Sequence, residues 1–354
     1  MSCVRRAEGE DRGECAEVPR AVSFLQFWSG IEQESGIARV RFWGQMSLPD
    51  GVTNLEMNMK KTLTSTAVFA TAILTFCTNT NLRAADADAT AWPDSTIPPV
   101  LNPVFFEEPH IRSEIRPIFM YQNIHKNFAT AGGDLQLYAM EVRWAATERL
   151  GIIATKDGYV DGDLGALMQQ NGFADISVGA KYAVIDNRED RFVLTPGFEL
   201  ELPIGNRDVF QGSGKGEWDL FVAAAKGFDS FNLTANVGGR IPNDMSRNTA
   251  QLHYSLQADK PLHRWFQPFV AANAFTTLNG ARTTGLASGL NTEGFDLINF
   301  GSGNAAGKTQ ATIGAGFRSR LKKNLLFGFG YEKALGAPKS IIDDRFTVDF
   351  VIRF

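Results

Sequence analysis

The sequence predicts an all-β protein whose main domain, residues 113–354, is an antiparallel up-and-down transmembrane β-barrel of about 12 strands. Three observations predict this fold. Apolar and polar residues alternate with a period of two in about twelve segments, each close to the roughly 9–11 residues that a tilted membrane strand needs. The connections between these segments are alternately long and short. The last segment alternates up to a terminal aromatic residue, Phe354.

Composition excludes several other classes of protein. The net charge of -4 is not the excess of basic residues that is typical of proteins that bind nucleic acid. The three cysteines, Cys3, Cys15 and Cys77, precede the barrel, and the four histidines are scattered, so we expect no disulfide scaffold, metal site or cofactor. No run of eighteen apolar residues exists, which excludes a helical membrane protein but not a barrel.

The N-terminal quarter of the chain contains a targeting segment. Residues 57–87 carry two lysines, an apolar stretch over 63–77 and small residues before a cleavage position at Ala87, the pattern of a secretory signal peptide. Since signal peptides act at the N-terminus, we interpret residues 1–56 as an upstream extension from a misannotated start. A genuine cytoplasmic extension or an uncleaved anchor is the alternative.

Residues 88–112 are rich in proline. Prolines deny the backbone donors that a strand ladder needs, so we predict an irregular segment, either a periplasmic lead-in or a plug.

From residue 113 onward, apolar and polar residues alternate along the sequence with a period of two. In one segment Phe231, Leu233 and Ala235 alternate with Asn232 and Thr234, which places apolar side chains on one face and polar ones on the other. The predicted strands lie near 113–123, 134–146, 149–157, 174–185, 191–203, 217–228, 230–241, 250–260, 264–277, 308–321, 324–334 and 344–354.

The connections distinguish a barrel from a soluble sandwich. The short turns lie near 147–148, 186–190, 229, 261–263 and 322–323, and the long connections are 124–133, 158–173, 204–216, 242–249, 278–307 and 335–343. Outer-membrane barrels have short periplasmic turns and longer extracellular loops. An even strand number then places both termini in the periplasm, and outer-membrane lipids surround the wall.

The C-terminal residues Phe350, Ile352 and Phe354 occupy alternate positions. They resemble the outer-membrane sorting signal that the barrel assembly machinery reads, which makes that machinery an expected partner.

A longer stretch, Arg143 to Gly216, carries a family resemblance. It contains RWAATERLGIIA, ADISVGAKYAVI and LTPGFELELPIGNRDVFQGSGKG. These motifs resemble the Gram-negative outer-membrane proteins named after the meta-pathway of phenol degradation, which are also described as transporters. The resemblance covers most of 113–354. It implies passage of small hydrophobic or aromatic compounds through the outer membrane and brings no catalytic residues.

The strand positions that are predicted to face inward carry charged residues of both signs. The candidate lumen-lining residues are Arg116, Glu141, Arg143, Lys181, Glu199, Glu201, Asp219, Arg240, Asp259, Arg318, Arg320 and Glu332, and the same parity holds Arg345, Asp349 and Arg353. In a narrow lumen these charges either pair and brace the wall or set the preference for a solute. The glycine-rich loop 278–307 is long enough to fold into the mouth, or it lies on the surface.

We therefore expect an outer-membrane channel or transporter for passive uptake of small, hydrophobic or aromatic solutes. A structural or surface-interaction barrel with a closed lumen is the alternative. A third hypothesis is a lipase-like barrel enzyme using His253 and Ser255, but no Ser-Asn-Gly follows them and their parity points into the lumen, away from lipid.

Overall fold

The computed structural model describes Trp92 and residues 94–165, 169–283 and 286–354. The chain divides into two units, Met1–Asn58 and Met59–Phe354, and every described residue belongs to the second. The predicted upstream extension, 1–56, and signal peptide, 57–87, lie outside the described residues. Within those described ranges, no helix is long and apolar enough to cross a membrane.

Strand segments follow one another along most of the described chain. They are β1 (Glu114–Asn123), β2 (Asp134–Ala145), β3 (Leu150–Ala154), β4 (Gly158–Asp163), β5 (Gln169–Phe173), β6 (Ile176–Tyr182), β7 (Ile185–Asn187), β8 (Phe192–Leu202), β9 (Glu217–Gly227), β10 (Asn232–Pro242), β11 (Gln251–Asp259), β12 (Gln267–Thr277), β13 (Thr309–Lys322), β14 (Leu325–Leu335) and β15 (Asp344–Arg353). A 3-10 helix spans Arg207–Val209, and a one-turn helix, α1, spans Leu286–Gly289.

The sheet closes on itself because its first strand has a neighbour on each edge. β1 pairs antiparallel with β2 on one side and with the last strand, β15, on the other. Closure gives β1 a partner on both edges, which is what a wall surrounded by lipid requires of its first and last strands. Glu114 lies opposite Arg353, so β1 begins and β15 ends at one rim of the barrel, the terminal rim. The opposite end is the loop rim.

The strand segments make twelve wall strands because two wall strands are interrupted. β3 and β4 both pair with β2 and are separated by residues 155–157. β5 pairs with β4, β6 pairs with β3 and β8, and β7 pairs with β8, so these three form the next wall strand. The predicted fold, a closed antiparallel barrel of about 12 strands, is confirmed.

One predicted connection is wrong in part. We predicted a strand over 149–157 and a long loop over 158–173, but β4 and β5 continue the hairpin through most of that loop. Gly158 and Gly162 are residues typical of turns. Their strand conformation comes from pairing with β2, where Gly162 lies opposite Leu135, so tertiary pairing overrides the local preference.

The wall is apolar outside and mixed inside. In β9, Trp218, Leu220 and Val222 are exposed, whereas the intervening Asp219 and Phe221 are buried. Large apolar side chains are also exposed on the outer face of most other strands. A soluble protein has its large apolar side chains mainly inside, whereas apolar side chains on the outer face fit a wall surrounded by hydrocarbon.

Two segments that are not part of the wall fill the interior. Residues 94–112, which we call the plug, contact inward side chains of β1, β2, β6, β8, β10, β11 and β13. The loop 278–307, between β12 and β13, also turns inward, and its Phe295, Leu297 and Ile298 are buried. Residues 94–112 therefore lie within the barrel, and the described part of the loop lies in its mouth.

Candidate functional site

The plug is held by side chains of the wall. Prolines in this segment have no N–H, so the plug cannot join a strand ladder and its carbonyl groups need other partners. Wall side chains supply them over 2.5 to 2.9 Å: Asn232 and Gln267 donate to Ser95 O, Arg318 to Pro98 O, Arg116 to Pro99 O, Lys181 to Glu108 O and Thr195 to Pro109 O.

An apolar socket receives the middle of the plug. Leu101 is fully buried and packs in a cluster with Val100 and Phe269. Two wall glycines make the room for it: a Cβ atom on Gly330 would lie 2.6 Å from Leu101 Cδ2, and one on Gly314 would lie 2.4 Å from Leu101 Cδ1. Glycine at both positions is therefore what lets the plug lie against β13 and β14.

A buried ion-pair cluster anchors the end of the plug nearest β1. Arg143 of β2 donates from Nε to Glu107 Oε1 at 2.9 Å and from Nη2 to Glu107 Oε2 at 2.5 Å. Lys181 Nζ of β6 donates to Glu107 Oε1 at 2.6 Å. Burial raises the pKa of Glu107, but Arg143 and Lys181 outweigh this effect and lower the pKa to about 2. Glu107 is therefore ionised throughout the ordinary pH range.

The neighbouring wall charges pair with one another. Glu141 Oε2 accepts from Arg143 at 2.8 Å and from Arg116 at 3.1 Å. Asp349 accepts from Arg116 at 2.5 Å and from Arg318 at 2.6 Å. Buried charges of opposite sign arranged in this way brace the wall strands β1, β2, β13 and β15.

A second group of charges lies toward the loop rim. Arg240 pairs with Glu217, and Glu217 Oε2 accepts from Asn299 Nδ2 of the inward loop at 2.9 Å. Arg345 donates to Glu332 at 2.6 Å and to Asp296 of the loop at 2.8 Å. Charged wall residues therefore hold the loop as they hold the plug.

The remaining predicted lumen residues lie in separate contacts. Lys156 pairs with Glu201 at 2.7 Å, Glu199 accepts from Thr155, Asp219 contacts His253 Nε2 at 2.8 Å, Asp259 accepts from Asn232 and Gln267, and Arg320 donates to Asp94 O at 2.6 Å. Arg320 is only half-buried, since it lies at the terminal rim.

Between the plug, the loop and the wall lies an apolar cavity of about 20 Å³. Met120, Leu137 and Val160 of the wall, Val104 of the plug and Leu297 of the loop line it, and Glu141 and Lys156 lie at its polar edge. A space of roughly 10–15 Å³ holds one water, so this cavity is too small for an organic solute. Within the described residues, the plug and the inward loop occupy the barrel interior on either side of this cavity.

Several residues of this arrangement were missed by the sequence analysis. Glu107 and Leu101 belong to the proline-rich segment, and Lys156 lies where a wall strand is interrupted. The only sequence signal for Glu107 was a charged pair, Glu107 and Glu108, in an otherwise proline-rich and apolar stretch.

The alternate C-terminal residues Phe350, Ile352 and Phe354 are exposed on the outer face. His253 and Ser255, by contrast, are buried inside, where Asn102 of the plug donates to Ser255 Oγ at 3.0 Å and Phe105 packs on His253. Within the described residues, no group of three or more metal-ligating side chains is arranged to hold a metal ion.

Comparison with known proteins supports this description. Residues 129–340, more than half of the chain, match the family described as the MetA-pathway of phenol degradation. No curated protein matches the chain. The fold is similar to that of an outer membrane channel from Pseudomonas putida F1, with 11% sequence identity, a TM-score of 0.51, and 70% of this chain and 98% of that chain covered.

Two further solved structures are similar at lower scores. For the NanC porin the identity is 8%, the TM-score is 0.43, and 68% of this chain and 100% of the porin are covered. For the CymD monoaromatic hydrocarbon channel the identity is 7%, the TM-score is 0.38, and 70% of this chain and 89% of that channel are covered. The chain has the fold of an outer-membrane channel and belongs to the MetA-pathway of phenol degradation family.

Proposed function

We propose that the protein is a passive outer-membrane channel for small hydrophobic or aromatic solutes. The observation that carries this proposal is the apolar cavity in the barrel interior, which is bounded by the wall, the plug and the inward loop. Binding sites for small molecules in proteins are concave, largely apolar and edged by a few polar groups. Membership of a family named for phenol degradation supports aromatic compounds as the solute class.

Passage requires the plug, the loop or both to move. The route runs from the loop rim past Phe295 and Leu297, through the apolar cavity, and past Glu141 and Arg143 toward the terminal rim. The plug's hydrogen bonds to the wall are made with wall side chains. Loop residue Asp296 pairs with the Arg345 side chain, and Asn299 bonds the Glu217 side chain and the backbone of Thr249, which lies outside the wall strands. Either segment can therefore be displaced without breaking the backbone ladder of the barrel.

The position of the barrel in the membrane is part of the same proposal. The outer face contacts outer-membrane lipids, both termini and the short turns face the periplasm, and the barrel assembly machinery reads Phe350, Ile352 and Phe354. The exposed apolar wall and the exposure of all three C-terminal residues support this.

The test is a liposome-swelling assay on the full chain purified from membranes. Glucose, alanine and phenylalanine are compared against protein-free liposomes, because these polar or zwitterionic solutes cross bare lipid slowly. The proposal predicts faster entry of phenylalanine than of alanine or glucose. Equal entry of all three would indicate a general pore and contradict the proposed selectivity.

A closed structural or surface-interaction barrel is the second candidate, and the buried contacts of plug and loop favour it. It predicts no entry of any solute, even when the plug is weakened by substitution. A lipase-like activity has less support: in the described residues no hydrogen bond joins His253 to Ser255, and both side chains are buried on the inner face of the wall, away from lipid. Lipase activity that is lost in Ser255→Ala would revive it.

A further inference from the structure

The plug carboxylate Glu107 is bound as a ligand is bound. Arg143 presents two parallel N–H groups to the two carboxylate oxygens, and Lys181 adds a third donor to one of them. All three side chains are buried. A fork of this kind is the geometry by which arginine recognises a planar carboxylate.

The two cations belong to the wall, whereas the carboxylate belongs to the removable plug. Arg143 also pairs with Glu141 on its own strand at 2.8 Å, so it keeps a wall partner when Glu107 is absent. Among the described residues, the ion-pair partner of Lys181 is Glu107 alone. When the plug leaves, the fork and the lysine therefore remain on the wall without their carboxylate.

The surface beside this site is apolar. Along the inner face of β2, Leu135, Leu137 and Ala139 line the cavity, and Glu141 and Arg143 follow on the same face. Alternate residues of a strand are roughly 6.7 Å apart. A molecule with one carboxylate on Arg143 can thus extend an apolar body of about the size of a benzene ring toward Ala139 and Leu137.

We propose that Arg143 and Lys181 form a binding site for small apolar monocarboxylates, which Glu107 occupies while the channel is closed. This inference rests on the proposed channel function and specifies one class of its solutes. A carboxylate solute that reaches Arg143 and Lys181 competes with Glu107 for the same donors. Its binding therefore favours the displaced plug.

Equilibrium binding tests the site without requiring transport. Radiolabelled benzoate and benzyl alcohol, which share a ring and differ in the carboxylate, are bound to the purified full chain. In the wild type, Glu107 is a tethered competitor at high effective concentration. We expect Glu107→Ala to raise the ratio of benzoate to benzyl alcohol affinity at least tenfold. Glu107→Gln, which keeps the side-chain size, is the second variant if Glu107→Ala fails to fold.

Asp296→Ala is the matched control. It also removes a buried carboxylate that an inward segment presents to a wall arginine, but Arg345 keeps Glu332 as its partner. Its ratio of benzoate to benzyl alcohol affinity should remain that of the wild type. Adding Lys181→Gln to Glu107→Ala should abolish the gain.

The outcomes separate this inference from the channel function. Absence of benzoate selectivity in folded Glu107→Ala and Glu107→Gln would overturn the site, whatever the swelling assay shows. An equal gain in Asp296→Ala would also overturn it, because loosening of the interior would then explain the binding. Benzoate selectivity in a protein that passes no solute would leave the site standing and refute the channel.

Discussion

The contact between Leu101 and Gly330 provides a way to disturb the plug while leaving the wall intact. In Gly330→Ala the new Cβ would lie 2.6 Å from Leu101 Cδ2 and 3.3 Å from Leu101 Cγ and Val100 Cγ1, and all of these atoms belong to plug side chains. Ordinary carbon contacts are about 3.5–4.0 Å, so Leu101 must shift by roughly 1 Å. With the plug displaced, the alanine would meet none of these atoms.

The cost of this substitution therefore falls on the closed state. Overpacking of this kind costs about 1–3 kcal/mol. Since about 1.4 kcal/mol is tenfold, the ratio of closed to open channels should fall by roughly five- to 140-fold. Ion current through single channels in planar bilayers measures this ratio directly, and the heat-modifiable mobility of the folded barrel checks that the wall is intact.

Two further variants test whether Gly330→Ala changes the open fraction through its contact with the plug. Adding Leu101→Ala removes the clashing methyl groups, so Gly330→Ala should have almost no effect in that background. Gly239→Ala is the control in another wall strand, because its Cβ would come no closer than 3.6 Å to Leu252 Cδ2. Identical open fractions in the wild type, Gly330→Ala and Gly239→Ala would refute the reasoning.

Three other predictions follow from the same contacts. Because the pKa of Glu107 lies below its usual 4.5, the ion pair that holds the plug should persist from pH 7 to pH 5 and be lost only as the pH falls from about 4.5 toward 2. The ratio of the open fraction of Glu107→Ala to that of the wild type should therefore be the same at pH 7 and at pH 5. A collapse of this ratio by pH 5 would contradict the prediction. Asp296→Ala removes a 2.8 Å hydrogen bond from Arg345, and a hydrogen bond between charged groups contributes about 1.5–3 kcal/mol. Limited proteolysis should therefore cut the loop at least several-fold faster in this variant. An unchanged rate would show that this bond does not hold the loop. Deletion of Phe354 should lower the amount of folded barrel in outer membranes several-fold by immunoblot, and full assembly without it would argue against a sorting signal.

The wall could be predicted from the sequence because each strand repeats one local rule. Trp218, Leu220 and Val222 lie on the lipid side in β9, as their parity predicts, and Asp219 lies inside. The rule fails where local composition and pairing disagree. Gly158 and Gly162 are typical of turns, yet β4 forms because β2 offers an unpaired edge beside them.

The contacts of the interior could not be predicted in the same way. Parity indicates that Arg143 faces inward, but its partners are Glu141 on its own strand and Glu107, 36 residues earlier in the plug. The prolines of the plug predict an irregular backbone. They do not predict where it lies, because its carbonyl partners come from strands far apart in the sequence, such as Arg318 of β13.

A reversible covalent lock on the plug tests the central claim, that solutes cross the barrel when the plug is displaced. Leu101→Cys combined with Gly330→Cys is suited to this lock, in a background where Cys3, Cys15 and Cys77 are changed to Ser. A Cβ on Gly330 would lie 3.3 Å from Leu101 Cγ, close to the roughly 3 Å between Cβ and the far sulfur of a disulfide, and replacing Leu101 removes the clashing Cδ2.

The measurement is the rate of phenylalanine entry into liposomes containing this variant, before and after reduction, with the two single-cysteine variants as controls. The account predicts that the oxidised protein passes no phenylalanine, that reduction restores entry, and that the controls do not respond to reduction. Equal entry through the oxidised and the reduced protein would contradict the claim that the plug closes the channel.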